Sequence, residues 1–76
     1  MNNISINRAL SLGIQAFQVK DYHSADRYFT AILHSNPDHP DANHNLGVLA
    51  ITGGDYVKAI SFLEKWWFGG QIYYVK

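Results

Sequence analysis

One stretch of the sequence occurs twice, 34 residues apart and without a gap. The first copy contains Leu12-Gly13, Ala16, Asp21-Tyr22 and Ala25. The second contains the same residue types in the same order: Leu46-Gly47, Ala50, Asp55-Tyr56 and Ala59. Self-similarity at a fixed period of this length is the sequence signature of a helical repeat array. This feature limits the fold more than any other, because it requires two copies of one helical unit within 76 residues.

Helical periodicity fills the segments between the recurring residues. Four apolar residues of the first copy lie at i, i+3, i+4 and i+7, and so do their counterparts: Ala25, Tyr28, Phe29 and Ile32, then Ala59, Phe62, Leu63 and Trp66. This spacing is typical of one face of an α-helix. Two apolar stripes in the segment before them, one through Leu10, Ile14 and Phe17, predict a first helix that is buried on two sides. We predict four helices, over about residues 4–20, 22–34, 40–52 and 56–68.

Turn-forming residues separate the predicted helices. The segment 35–40 contains two prolines and cannot continue a helix, but Pro40 suits the first position of the next one. Gly53-Gly54 breaks the third helix and Gly69-Gly70 is expected to end the fourth. The expected N-caps are Asn3 or Ser5, Asp21 and Asp55. The sequence therefore predicts an all-α fold of two stacked antiparallel helix-turn-helix hairpins.

The recurring pattern resembles the tetratricopeptide repeat. It is carried by Leu12-Gly13, Ala16, Lys20-Asp21-Tyr22, Ala25, Phe29 and Pro37, and again by Leu46-Gly47, Ala50, Gly54-Asp55-Tyr56, Ala59 and Leu63. The resemblance covers about residues 6–68 and implies a short piece of an α-solenoid. It implies one domain over 1–76, with a first repeat at 6–39, a second at 40–70 and an irregular tail at 69–76. Tyr22 and Tyr56 are expected to fill the space at the hairpin turns.

The sequence departs from the family pattern at three positions and in its tail. Ile32 and Trp66 stand where the family usually has a small residue, and Gln71 stands where it has a closing proline. The tail from Trp66 onward leaves the pattern altogether. These departures put the end of the second repeat in doubt.

The resemblance implies a binding groove along the first helix of each hairpin, where partners of such arrays lie. The residues expected there are Asn7, Leu10, Ser11, Ile14 and Phe17, then Asp41, His44, Asn45, Val48 and Ile51. Amide and hydroxyl groups suit the backbone of an extended peptide, and the apolar residues suit its side chains. A solvated helix face that binds no ligand is the alternative.

The aromatic end of the chain suggests self-association. The residues in question are Trp66, Trp67, Phe68, Tyr73 and Tyr74. Two repeats are fewer than a stable array needs, and large exposed apolar patches mark contact with a partner. We therefore expect a homo-oligomer, formed by stacking or by exchange of hairpins. Two other interpretations stay open: Trp66 caps the core of the last hairpin, or the tail is a disordered end.

Other classes of function find little support in the sequence. Six basic and six acidic residues cancel, which gives no footprint for nucleic acid, and no apolar run is long enough to span a bilayer. The chain has no cysteine, and His34, His39 and His44 lack the i, i+3 or i, i+4 spacing of helical metal ligands. No Gly-x-Ser-x-Gly setting surrounds any serine, and helix capping accounts for most carboxylates. No catalysis, metal or cofactor is predicted.

The interpretation that follows is a non-enzymatic protein–protein interaction or scaffold module. It binds a peptide segment in the concave groove or assembles with itself. The alternative is a targeting or substrate-holding part of a larger enzyme, such as a glycosyltransferase or methyltransferase. The N-terminus lacks the features of a signal peptide, so we expect a cytoplasmic protein without a membrane partner.

Overall fold

The computed structural model describes residues 5–71, and the side-chain surroundings of residues 5–67. Four helices account for nearly all of this range: α1 (Ile6–Gln18), α2 (Tyr22–Ser35), α3 (Pro40–Thr52) and α4 (Tyr56–Gln71). Each pair forms a hairpin, α1 with α2 and α3 with α4, and the hairpins meet where α2 packs against α3. The described residues contain no strand. The predicted all-α fold is confirmed, and none of these helices is long and apolar enough to cross a bilayer.

A side chain caps the start of every helix. Ser5 Oγ accepts a hydrogen bond from the backbone N–H of Arg8, at 3.1 Å. Asp21 and Asp55 accept the corresponding bonds at α2 and α4, at 3.2 and 3.1 Å. Pro40 occupies the first turn of α3, as predicted, and the cap before it is His39, whose Nδ1 accepts from the N–H of Ala42. Each cap satisfies one of the N–H groups that a helix start leaves free.

The two hairpin turns share one backbone conformation. Lys20 has a φ of 65°, and its counterpart Gly54 has a φ of 82°. In both turns the next residue donates its N–H to a carbonyl near the end of the preceding helix: Asp21 to Ala16 and Asp55 to Ala50. A left-handed residue is the usual device for ending a helix, and glycine adopts it without the steric penalty that a side chain incurs.

The helices of each hairpin approach closely at a glycine. A Cβ built on Gly13 would lie 2.5 Å from the Phe29 ring, and one on Gly47 would lie 2.6 Å from the Leu63 side chain. Ala25, facing α1, is fully buried, and Ala59 holds the same place in the second hairpin. Gly13, Gly47, Ala25 and Ala59 are therefore packing residues.

The core lies in the first hairpin and along its contact with α3. Its members are Ala9, Ala16, Ala25, Phe29, Ile32, Ala42 and Leu46. A buried amide, Asn43, adjoins this core and donates from Nδ2 to the carbonyls of Pro37 and His39, at 3.1 and 3.0 Å. These bonds hold the loop between the hairpins against α3.

Three local predictions are wrong. α4 does not end at Gly69-Gly70 but continues to Gln71, because a glycine inside a helix costs only about 1 kcal/mol relative to alanine. Tyr22 packs edge-on against Phe17, at 5.5 Å between ring centroids, but Tyr56 is exposed and does not fill its turn. The second predicted stripe of the first helix is only partly buried, since Ile14 is exposed while Leu10 and Phe17 pack partly against the core. The single domain and its repeat boundaries stay a prediction.

Candidate functional site

The predicted groove residues occupy one angular sector of α1 and the matching sector of α3. The members of each helix are spaced by three or four residues, which places them on one face. α1 and α3 make a small direct contact, while the main contact between the hairpins is that of α2 with α3. Asn7, Ser11, Ile14, Asp41 and Ile51 are exposed there. Those that are half-buried are Leu10, Phe17, His44, Asn45 and Val48.

Two aliphatic side chains give this face its apolar character. Ile14 is 37% exposed and Ile51 is 46% exposed, although both are long apolar residues in regular helices. Leu10 and Phe17 lie on the same sector as Ile14 and pack partly against the core. Exposed isoleucines beside half-buried apolar residues form a shallow surface that a partner's side chains can cover.

The polar residues of the face make bonds within their own helices. Asn45 Nδ2 donates to the carbonyl of Asp41 at 2.8 Å, and Ser11 Oγ accepts from Gln15 Nε2 at 3.5 Å. Asn45 uses one of its two N–H hydrogens in this way, so the amide retains a second N–H and its oxygen for other bonds. The bond to Asp41 fixes the orientation of the Asn45 amide relative to α3.

His44 and Trp66 are in contact, which joins one residue of the predicted groove to one of the predicted self-association set. Their ring centroids are 4.8 Å apart and their planes are inclined by 51°. Trp66 is only partly exposed, and it is the counterpart of Ile32, which is buried in the core. The indole therefore packs against the imidazole and stays about as exposed as Ile14.

The rest of the aromatic set is only partly within the described residues. Trp67 is exposed on α4. The side chain of Phe68 lies outside the described residues, and so do Tyr73 and Tyr74. Self-association through these residues stays a prediction. Sequence reasoning missed Tyr56, Val57 and Ile60, which are all exposed apolar residues of α4. Comparing Val57 and Ile60 with His23 and Asp26, 34 positions earlier, could have found these two, but Tyr56 has an identical counterpart in Tyr22.

A second concavity opens where the two hairpins diverge near their turns. It has a volume of about 330 Å³, at the small end of the range for ligand pockets. Leu46, Leu49 and Phe62 give it an apolar floor, and Asp26 and Lys58 stand at its rim. None of the predicted groove residues is among the described residues that line it. The cleft is separate from the groove face.

The described residues hold no arrangement that indicates chemistry. Within them, no three His, Asp or Glu side chains are grouped closely enough to hold a metal ion. Hydrogen bonds from the side chain and backbone N–H of Ser24 lower the pKa of the Asp21 carboxyl, which is an effect of helix capping. The carboxylates Asp21 and Asp55 both serve as caps, so their positions are explained by the fold.

Comparison with known proteins agrees with the four-helix arrangement. A family model described as "Tetratricopeptide repeat" matches residues 16–68. No curated protein and no solved structure gives a match. The matched span includes both hairpin turns, all of α2 and α3, and the greater part of α4. Because the match extends over well more than half of the sequence, the chain belongs to the tetratricopeptide repeat family.

Proposed function

We propose that the chain is a non-enzymatic binding module whose partner is an extended peptide segment lying along the adjoining faces of α1 and α3. Repeats of this family generally mediate protein–protein interaction. The observation that carries the proposal is the pair of exposed isoleucines, Ile14 and Ile51, one on each of the two neighbouring helices. The peptide would cover both and would cross from one repeat to the other.

Apolar burial would supply most of the affinity. Fully burying an isoleucine side chain is worth about 1.5–3 kcal/mol, so covering the exposed part of Ile14 or Ile51 contributes roughly 0.5–1.5 kcal/mol before the cost of ordering the peptide. Ile14 and Ile51 therefore serve as anchors, with Leu10, Phe17 and Val48 beside them at half burial. A peptide with apolar side chains at alternate positions, in extended conformation, suits such a row.

Polar residues of the face would fix the position of the peptide backbone. Asn45 has an amide that the helix already orients through its bond to Asp41, so little side-chain entropy is lost on binding. Among the ten groove residues Asp41 is the only charged one, and none is Lys or Arg. A partner that carries a free carboxylate or phosphate is therefore disfavoured, and a neutral or basic segment is preferred.

The alternative role, as a targeting segment of a larger enzyme, receives no support from particular residues. The carboxylates with defined partners bond to helix starts or to side chains on the same helix turn. Nothing in the described hydrogen bonds resembles a nucleophile paired with a base. The proposal therefore stays with protein binding.

A displayed library of random peptides tests the proposal directly. We expect the unaltered chain to enrich extended sequences with alternating apolar residues. Ile14→Asp and Ile51→Asp should each reduce binding of these peptides at least about tenfold, since each removes an apolar anchor and adds a charge.

The matched control is Val19→Asp. Val19 is as apolar as the isoleucines and more exposed, but it lies at the α1–α2 turn, away from the groove face. This variant should retain every selected peptide. Equal binding by all three variants, or failure to enrich any peptide, would refute the groove proposal.

A further inference from the structure

The α4 helix carries an exposed apolar row that repeats, 34 residues later, a row that the first hairpin uses internally. We call it the α4 stripe, and it consists of Tyr56, Ile60, Leu63 and Trp67. The corresponding row of α2, here called the α2 stripe, consists of Tyr22, Asp26, Phe29 and Leu33. Both rows have the spacing i, i+4, i+7 and i+11, so each follows one side of its helix.

Tyr22 and Phe29 of the α2 stripe pack against Phe17 and Gly13 of α1, and the second hairpin covers the part of the stripe that α1 leaves open. Phe29 is fully buried, and Leu33 packs against the core cluster that includes Ala42 and Leu46. Tyr22 and Asp26 face Leu46 across the cleft, where α2 and α3 begin to diverge. The internal contact between the hairpins therefore shows what covers such a stripe, namely a helix of another hairpin.

Within the described residues, Leu63 of the α4 stripe is half-buried against Gly47, and the other three residues have no such cover. The stripe is also more apolar than its counterpart. Tyr56 is 63% exposed, Ile60 57% and Trp67 54%. The single charged residue of the α2 stripe, Asp26, corresponds to Ile60 in α4. A helix face that only meets water usually carries polar residues. The α4 stripe instead has an isoleucine at the position where the α2 stripe has a carboxylate.

A second copy stacked head to tail would present the wrong surface to this stripe. The face of α3 that covers α2 contains Ala42, Leu46 and Leu49, and its counterparts on α1 are Arg8, Leu12 and Gln15. Arg8 and Gln15 are exposed and polar. Stacking in the order of the internal repeats would place a guanidinium and an amide against the α4 stripe, with a desolvation cost that the one apolar counterpart, Leu12, would only partly offset.

We propose that two copies of the chain associate across a two-fold axis, with the α4 stripe of one copy packed antiparallel against the α4 stripe of the other. In this arrangement Tyr56 faces the second copy's Trp67, and Ile60 faces its Leu63, so every contact is apolar. A two-fold contact of this kind is closed and stops at two copies. The proposed dimer does not involve the groove face, so a failure to bind peptides would not count against it.

The first test changes Ile60 to the residue that the first repeat carries at the same position. We expect the unaltered chain to sediment with the mass of two 8.6 kDa chains and Ile60→Asp with the mass of one. Two carboxylates would meet close to the axis, which should weaken association at least about a hundredfold. Ile60 is exposed, so the variant should keep its helical circular dichroism. Val19→Asp, at an exposed apolar residue of the α1–α2 turn, is the control and should remain dimeric.

The second test asks which residues of the two copies lie close together, and it does not depend on whether Ile60→Asp folds. The chain has no cysteine, so Ile60→Cys introduces one thiol, which lies near the axis and should form a disulfide-linked dimer under mild oxidation. In a head-to-tail stack, Ile60→Cys would instead link to Gln15→Cys in a mixture of the two variants. Preference for the mixed link, a monomeric unaltered chain, or a dimer that persists in folded Ile60→Asp would each overturn the proposal.

Discussion

At the scale of single residues, Gly13 and Gly47 hold the same place in the two hairpins but face different neighbours. A methyl group on Gly13 would press on the ring of Phe29, which is fully buried and has no free space to enter. A methyl group on Gly47 would press on Leu63, which is half-buried and can rotate away. Identical residues in the sequence therefore tolerate change to different degrees.

Replacing each glycine by alanine should show this difference. We expect Gly13→Ala to lower the free energy of unfolding by about 1–3 kcal/mol, because overpacking outweighs the gain in helix propensity. For Gly47→Ala the change should be about 1 kcal/mol or less. Urea denaturation followed by circular dichroism measures both.

Gly53→Ala is the control for these two variants. Its Cβ would meet only backbone oxygens, at 3.7 and 3.8 Å, and its φ is −85°. The variant should be as stable as the unaltered chain. Equal losses at Gly13 and Gly47 would contradict the assignment of a rigid neighbour to the first and a movable one to the second.

The lowered pKa of Asp21 makes a capping contribution that depends on pH. Hydrogen bonds from Ser24 favour the charged carboxylate in the folded chain, so this contribution is present above the ordinary pKa of 3.8. It is lost as the pH falls through the lower pKa of the folded state. The advantage of the unaltered chain over Asp21→Asn in urea denaturation should therefore be larger at neutral pH than at ~pH 2. An advantage that does not change with pH would show that the charge contributes nothing.

Residues of the repeat pattern could be assigned from sequence, but residues that depend on the path of a loop could not. Gly13, Asp21 and Asp55 recur at fixed offsets, so their packing and capping roles were predictable. His39 caps α3 only because its backbone is extended and its ring turns toward Ala42. Asn43 bonds to carbonyls four and six residues earlier, and no propensity or period encodes that contact.

At the scale of helices and loops, Asn43 fixes α3 to the segment that joins the two hairpins. Asn43→Ala would leave the carbonyl of Pro37 without this donor in a partly buried place. We expect a loss of about 1–2 kcal/mol in the free energy of unfolding, because two side-chain hydrogen bonds are lost and a cavity forms, while removal of the unpartnered Oδ1 atom of Asn43 offsets part of the cost.

The same substitution two residues later provides the comparison. Asn45 also donates to a backbone carbonyl, but that bond is exposed to solvent. Asn45→Ala should change the free energy of unfolding by about 0.5 kcal/mol or less. If the two variants were equally stable, the buried amide would have no special role in holding the loop.

Helix α4 shows the limit of reading element ends from composition. Gly69-Gly70 resembled a stop signal, but glycine weakens a helix without forbidding it, unlike proline. The helix runs on to Gln71. The starts of α2, α3 and α4 were predicted correctly because each rests on a specific cap or a proline, which is a stronger constraint than a weak helix former.

At the scale of the whole molecule, association through the α4 stripe would couple stability to concentration. If the folded dimer is favoured by mass action, the Tm of the unaltered chain should rise over roughly a hundredfold increase in protein concentration. The Tm of Ile60→Asp should stay constant over the same range. A constant Tm for both proteins would mean that the stripe does not associate at those concentrations.

The groove face and the α4 stripe differ in how far sequence could predict them. Helical geometry and the 34-residue period place Ile14 and Ile51 on neighbouring helices, so the groove face was predictable as a surface. Whether Ile60 is covered depends on how the hairpins stack, and that required the structure. The contact between His44 and Trp66 likewise depends on the closeness of α3 and α4, because the two residues lie on different helices.

The exposed faces of α1 and α4 differ in polarity, and this difference decides on which side a further repeat could be added. A further repeat arising by tandem duplication of the second hairpin, placed after it, would bring residues like Ala42, Leu46 and Leu49 onto α4. A repeat inserted ahead of α1 would have to settle on Arg8 and Gln15, which are polar and exposed. Such an array could therefore lengthen by duplication on the carboxyl-terminal side of α4, whereas the polar, exposed face of α1 does not suit a further repeat.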